Sequence, residues 1–237
     1  MIFSSLFRGR ESQDRFSALV DITVIGLALT LLGCGPAQSG SDPGEALFDG
    51  TSLQGWAPSG FEAGGAVRVA NSFRDGAATI VIEPGLTLSG ITSTRGSQLP
   101  RVDYELSLEV MRISGMDFFC GLTFPVGASA CTFVVGGWSG EIVGLSNIDD
   151  ADASQNETRR EMEFVDNRWY RIRVRVTAER IEAWIDDDKK ADVAWKGRKI
   201  NLRPGEIQKS LPLGIATFMT KAAVRNIRLR RLDVRRT

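Results

Sequence analysis

The sequence has no histidine. A Ser-His-Asp triad, a Cys-His pair, an HExxH zinc site and His-ligated haem or iron are therefore excluded, since each needs an imidazole as base or ligand. Cysteine is scarce: Cys34, Cys120 and Cys131 are too few for a zinc site of four thiolates. Neither sign of charge is in excess, with 29 Lys+Arg against 29 Asp+Glu. That balance argues against a general affinity for nucleic acid, which needs a surplus of cations to neutralise phosphates. A membrane-spanning run is also missing. The most apolar stretch, residues 22–33 (ITVIGLALTLLG), is bounded by Asp21. At ~1.5 Å per residue it reaches about 18 Å, short of the ~30 Å hydrocarbon core. Any catalysis by this chain falls to carboxylates, Tyr, Lys, Arg, Ser or a hard cation held by oxygen.

What is present describes one ordinary globular domain behind a leader. The chain has 237 residues, 43% hydrophobic and 24% charged, enough to bury a sizeable core. Arg8, Arg10 and Arg15 precede the short apolar run, which ends in small residues, the layout of a secretory signal. Leu31-Leu32-Gly33-Cys34 resembles the bacterial lipobox, whose cysteine is lipidated and becomes the new N-terminus. Residues 1–33 are thus expected to be a lipoprotein-type signal peptide. Residues 34–44 (CGPAQSGSDPG) would be a flexible tether, and residues 45–237 the folded domain. A plain signal peptide or a membrane anchor with an incidental cysteine is the alternative. On the lipoprotein reading the domain sits outside the cytoplasm on a bacterial membrane, in the periplasm or at the cell surface.

An extracytoplasmic setting lets disulfides persist. Cys120 and Cys131 flank Pro125-Val126-Gly127, a turn signal between two apolar runs. A hairpin centred between residues 125 and 126 would set the two cysteines opposite each other, ~4.5–5.5 Å apart at Cβ. A disulfide and two buried free thiols are equally compatible with the sequence.

From Ala66 onward the pattern has period two. Tyr104, Leu106, Leu108 and Val110 alternate with Glu105, Ser107 and Glu109. Tyr170, Ile172, Val174 and Val176 alternate with Arg171, Arg173 and Arg175. Residues 181–185 and 189–195 flank the acidic turn Asp186-Asp187-Asp188, and the chain closes on Val224, Ile227 and Leu229. No amphipathic helix of ten or more residues follows Gly44. Short one-sided strands separated by turns predict an all-β antiparallel sandwich or jelly roll.

Residues 45–233 also carry a family resemblance. The opening stretch 47–56 (LFDGTSLQGW), the strand 103–111 (DYELSLEVM), the hairpin 169–186 and the closing pieces 214–216 and 224–229 (VRNIRL) occur in the order seen in the 3-keto-disaccharide hydrolase family, which they resemble. The resemblance implies a concanavalin-like β-jelly roll, common in secreted or lipid-anchored bacterial proteins. It also implies hydrolysis of glycosidic bonds in sugars oxidised at C3.

A ligand site is expected on the polar face of a sheet. If residues 104–112 and 116–124 pair as a hairpin about Ser114-Gly115, Glu105, Glu109, Asp117 and Phe119 share one face. Thr132 and Trp138 join it from the next strand. Aromatic faces stack on the C–H surface of a pyranose, and carboxylates accept its hydroxyls. Glu105, Phe119, Thr132 and Trp138 are then the sugar-binding residues. Glu109 and Asp117 are the candidate catalytic pair, because elimination from a 3-keto sugar needs one base and one acid. A solvated sheet face is the bland alternative.

The loop 147–157 (NIDDADASQNE) gathers Asn147, Asp149, Asp150 and Asp152, hard oxygen donors that suit Ca²⁺. Its spacing does not match an EF-hand, and a solvated loop is the competing reading. The arginine stripes at 171/173/175 and 225/228/230/231 suggest either anionic headgroups or cross-strand pairing with Glu182, Glu161 or Glu163. Three functions follow: an enzyme on oxidised disaccharides, a non-catalytic carbohydrate-binding lipoprotein, or a surface adhesion module. The expected partners are an oligosaccharide or oxidised sugar and, through the anchor, a membrane.

Overall fold

The computed structural model describes residues 43–233. The expected signal peptide, Cys34 and nearly all of the tether lie outside the described residues. In chain order the strands are β1 (Glu45–Ala46), β2 (Trp56–Pro58), β3 (Val67–Phe73), β4 (Ala77–Ile82) and β5 (Leu88–Ser93). They continue with β6 (Tyr104–Ser114), β7 (Cys120–Val126), β8 (Ser129–Gly137), β9 (Ile142–Ser146) and β10 (Arg160–Glu161). The last five are β11 (Trp169–Val176), β12 (Arg180–Ile185), β13 (Asp188–Ala194), β14 (Gly214–Phe218) and β15 (Lys221–Arg231). Two short 3₁₀ turns, Gly96–Gln98 and Glu206–Ser210, are the only helical pieces among the described residues.

Every pairing is antiparallel. One sheet runs β13-β12-β11-β6-β15-β4-β3, with β1 added to β15, and the other runs β10-β9-β8-β7-β14-β5-β2. The two face each other as a sandwich with jelly-roll topology, as the alternation predicted. In β6 the apolar set Tyr104, Leu106, Leu108 and Val110 is buried between the sheets. From the opposing sheet Cys120, Leu122 and Phe124 of β7 and Phe133 and Val135 of β8 meet it in one continuous core. Burying side chains of this size contributes about 1.5–3 kcal/mol each, and that term holds the layers together.

The register departs from expectation at one decisive place. Strands 104–114 and 120–126 do not form a hairpin. β6 pairs with β11 and β15, whereas β7 pairs with β8 and β14 in the other sheet. The segment 115–119 therefore carries the chain across the sandwich, and the two strands point their polar residues in opposite directions. On the outer face of the first sheet Glu105 lies opposite Arg175 and Arg230, and Glu109 opposite Arg171 and Arg225. Arg173, Arg175, Arg225 and Arg230 are thereby explained as pairs with these glutamates, while Arg171 bonds Asp187 and Arg228 and Arg231 donate to backbone carbonyls. Arg175 also lies 3.8 Å from Glu182, but Glu161 belongs to the other sheet and pairs with Arg159.

Candidate functional site

The outer face of the second sheet has a floor of small residues. Gly121 and Thr123 of β7 lie opposite Val134 and Thr132 of β8, which in turn face Gly144 and Ser146 of β9. On the other side Gly214 and Ala216 of β14 face Thr92 and Gly90 of β5. Neighbouring segments rest directly on this floor. A Cβ on Gly214 would come within 2.7 Å of the Ser210 Cβ, and one on Gly144 within 3.1 Å of the Ala153 Cβ. Glycine inside a strand marks such close approach. The loop 147–158 thus covers one end of the floor and the segment 205–213 the other.

Between them lies a cavity of about 370 Å³, floored by Thr132, Val134 and Ser146. Trp138, Phe118 and Phe218 supply its rings, and Asp117, Arg203 and Glu206 its charges. Trp138 is 37% exposed and has φ of 49°, a left-handed conformation that is costly for a bulky residue and concentrates at functional sites. Asp117 braces this turn. Its Oδ2 accepts the Ser139 N–H at 3.3 Å and its Oδ1 accepts the Phe118 N–H at 2.7 Å. The Asp117 N–H in turn donates to Thr220 Oγ1 at 3.2 Å. One cavity aromatic, Phe118, and the neighbour of another, Ser139, are thus held by one carboxylate.

Opposite Trp138, the Arg203 guanidinium stands 6.0 Å from the indole centroid, within cation–π range. Glu206 Oε2 accepts Lys209 Nζ at 2.8 Å and the Glu62 N–H at 3.0 Å. The Lys209 ammonium first, and then the Glu62 amide, hold this carboxyl below its ordinary value, so it is ionised at neutral pH. Both contacts fall on one oxygen. The hydroxyls of the floor are linked: Thr132 Oγ1 is 2.9 Å from Thr123 Oγ1, and Ser146 Oγ donates to Asn147 Oδ1 at 2.6 Å. The arrangement offers a flat stacking surface, a cation, a carboxylate acceptor and hydroxyls, the groups that recognise a sugar ring.

Of the residues singled out from sequence, Asp117, Thr132 and Trp138 come together here. Phe119 does not: it is 0% exposed in the core, with its ring 5.0 Å from Phe164 and 5.9 Å from Tyr170. The period breaks where the chain enters β7, so Phe118 takes the cavity position and Phe119 the core. Glu105 and Glu109 sit on the outer face of the first sheet. Glu105 accepts hydrogen bonds from Arg173, Arg175 and Arg230 at 3.0–3.2 Å, and Glu109 accepts one from Arg225 at 2.7 Å. Neither faces the cavity, so the Glu109–Asp117 pair is not assembled.

The cysteine and loop expectations are also corrected. The β7–β8 turn falls two residues later than expected, so Cys120 lies opposite Val135 and Cys131 opposite Phe124. Both are buried free thiols, pushed up to about 12 by burial. Among the described residues no three or more His, Cys, Asp or Glu side chains gather as a metal site. Asp149 accepts from the Lys199 N–H and Arg198, and Asp150 from Lys199 and Asn201. Asp152 caps Ser154, and the Asn147 side-chain oxygen takes the Ser146 hydroxyl. Their oxygens are taken up within the loop and by residues 198–201 beside it and do not converge on a cation.

Sequence reasoning missed Phe118, Phe218, Arg203 and Glu206. Arg203 and Glu206 come from the irregular stretch 195–213, which has no periodicity to read. A signal for the face did exist: glycine or alanine at 90, 121, 144, 214 and 216, all in strands, announces a surface on which something lies.

Comparison with known proteins places the chain. No curated protein sequence matches it. Among solved structures it resembles the carbohydrate-binding module CBM66 from Bacillus subtilis, with 12% identity over 74% of this chain and 94% of that one and a TM-score of 0.47. It also resembles a glycosyl hydrolase family protein from Mycobacterium fortuitum, with 11% identity, 76% and 93% coverage and a TM-score of 0.45. Domain 4 of AbnA, a GH43 extracellular arabinanase from Geobacillus stearothermophilus, solved with arabinotriose, gives 12%, 71%, 81% and 0.42. A family model described as the 3-keto-alpha-glucoside-1,2-lyase-like domain matches residues 43–230. The chain belongs to the 3-keto-alpha-glucoside-1,2-lyase-like family, the one its opening and closing motifs resemble.

Proposed function

We propose that the cavity over the second sheet binds a glycoside with a sugar ring stacked on Trp138, and that the protein cleaves the glycosidic bond of 3-keto-glucosides. The observation that carries this reading is the braced, left-handed Trp138 standing over a cavity that also holds Arg203 and Glu206. Family membership supports the choice of sugar. A ketone at C3 acidifies the C2 proton. A base removes that proton, a C1–C2 double bond forms, and the C1–O bond breaks. The departing oxygen takes a proton and leaves as an alcohol, after which water adds across the double bond to complete hydrolysis. Of the two cavity carboxylates Glu206 is the one with an oxygen left uncommitted, and it takes the role of base. Arg203 suits the negative charge that builds on the C3 oxygen as the proton leaves.

A second reading, capture of the sugar without cleavage, is favoured by one observation. Both Asp117 oxygens already accept backbone N–H groups, so Asp117 is committed to holding the turn and Glu206 stands without a carboxylate partner of equal freedom. An assay on 3-keto-trehalose separates the two. Turnover by the wild type is expected to fall about 10²- to 10⁴-fold in Glu206→Gln with sugar binding retained, and to be unchanged in Glu109→Gln on the far sheet. Sugar binding without turnover in the wild type selects capture, and the absence of both sinks the glycoside reading.

A further inference from the structure

The cavity has two unlike walls. One carries Trp138, Arg203, Thr132 and Ser146. The other is formed by Leu88, Phe118, Ile207 and Phe218, and none of these four side chains has a hydrogen-bond donor or acceptor. They form an apolar cluster of their own outside the sandwich core, packed about Phe61, Leu88 and Ala216. The rings of Phe118 and Phe218 are 6.0 Å apart and tilted by 33°. Met219, next to Phe218, is 55% exposed, and Leu86 is 76% exposed. The Met219 N–H donates to Thr87 O at 2.9 Å, which ties the Met219 backbone to the residue that follows Leu86.

A second pyranose placed against these four side chains would lose water from its hydroxyls and find as partners only the carboxylates of Asp117 and Glu206 beside them, which is unfavourable. A flat apolar group would instead bury its faces against the two phenyl rings and the aliphatic side chains. We infer that the protein takes glycosides whose aglycone is an aromatic or similarly flat apolar group, with the sugar on the Trp138 side and the aglycone on the Phe118–Phe218 side. The inference rests on the glycoside reading above and names its substrate class.

Calorimetric titration of the full chain tests it with three probes: phenyl 3-keto-α-glucoside, methyl 3-keto-α-glucoside and 3-keto-trehalose. The phenyl glycoside is expected to bind about tenfold or more tightly than either of the others. Phe218→Ala and, independently, Ile207→Ser on the 3₁₀ turn should each remove most of the phenyl-over-methyl preference, with the fold of each variant checked by its thermal transition and far-UV circular dichroism. Equal affinity for phenyl and methyl glycosides, or tighter binding of 3-keto-trehalose, overturns the aglycone assignment and leaves the glycoside reading standing. No binding of any of the three overturns both.

Discussion

At Asp117 two backbone N–H groups converge on one carboxylate, and the turn they stabilise carries Trp138 with positive φ. An amide at this position could accept one of those protons but would present its own NH₂ to the other. Asp117→Asn is therefore expected to lower stability by about 1–3 kcal/mol. Because the Ser139 contact positions the indole, the variant should also shift tryptophan emission and weaken sugar binding. An unaltered emission spectrum with unaltered affinity would count against the bracing role. At this scale the sequence was partly readable. Thr132 takes its outward position from the alternation of β8, whereas Asp117 and Trp138 stand in the turns before β7 and after β8, beyond the reach of alternation. Phe118 and Phe119 were exchanged because the period is interrupted at the strand entry, where alternation has no authority.

Strand existence was far more legible than strand pairing. The alternation in 104–110 and 170–176 identifies two strands with one polar face each, and the structure has both. Which strands become neighbours depends on whether Ser114-Gly115 turns the chain back or passes it to the other sheet, and local turn chemistry is the same in either case. The same ambiguity displaced the β7–β8 turn by two residues and with it the pairing of Cys120 and Cys131. The true neighbours of β6 give it a measurable property. Glu105 is 9% exposed. Burial acts to raise its value, but hydrogen bonds from Arg230, Arg175 and Arg173 outweigh it and hold the carboxyl below the ordinary range. A depressed folded-state value gives stability that is present above the ordinary carboxylate value of ~4.3 and lost as pH falls through the depressed value. Urea midpoints measured from pH 7 down to 2 should thus fall steeply below about pH 4. Glu105→Gln is expected to cost roughly 1–3 kcal/mol at pH 7, reduced from a fully buried pair by partial solvation, and to flatten the acid limb. A variant whose acid limb parallels the wild type would remove Glu105 from this role.

For the whole molecule, the expected topology class and the family were both within reach of the sequence, whereas most of the site was not, because Arg203 and Glu206 come from an aperiodic stretch and the surface they stand over is built largely of glycine, alanine and small hydroxyl residues. The same reading of residues 1–44 proposes a domain held at a bacterial membrane by a lipid on Cys34. Cys34→Ser should move the protein from the membrane to the soluble fraction, and continued membrane association of that variant would argue for a different mode of retention.

The glycine-and-alanine floor has one more implication. Apart from Leu88, Val134 and Phe218, the strands under the cavity contribute hydroxyls and backbone, and almost all of the polar chemistry that a ligand meets is supplied by Asp117, Trp138 and the stretch from Arg203 to Glu206. Selectivity and architecture are thereby written in separate parts of the chain. New ligand preferences can arise by rewriting a handful of connecting residues, with the interleaved apolar layers left as they are.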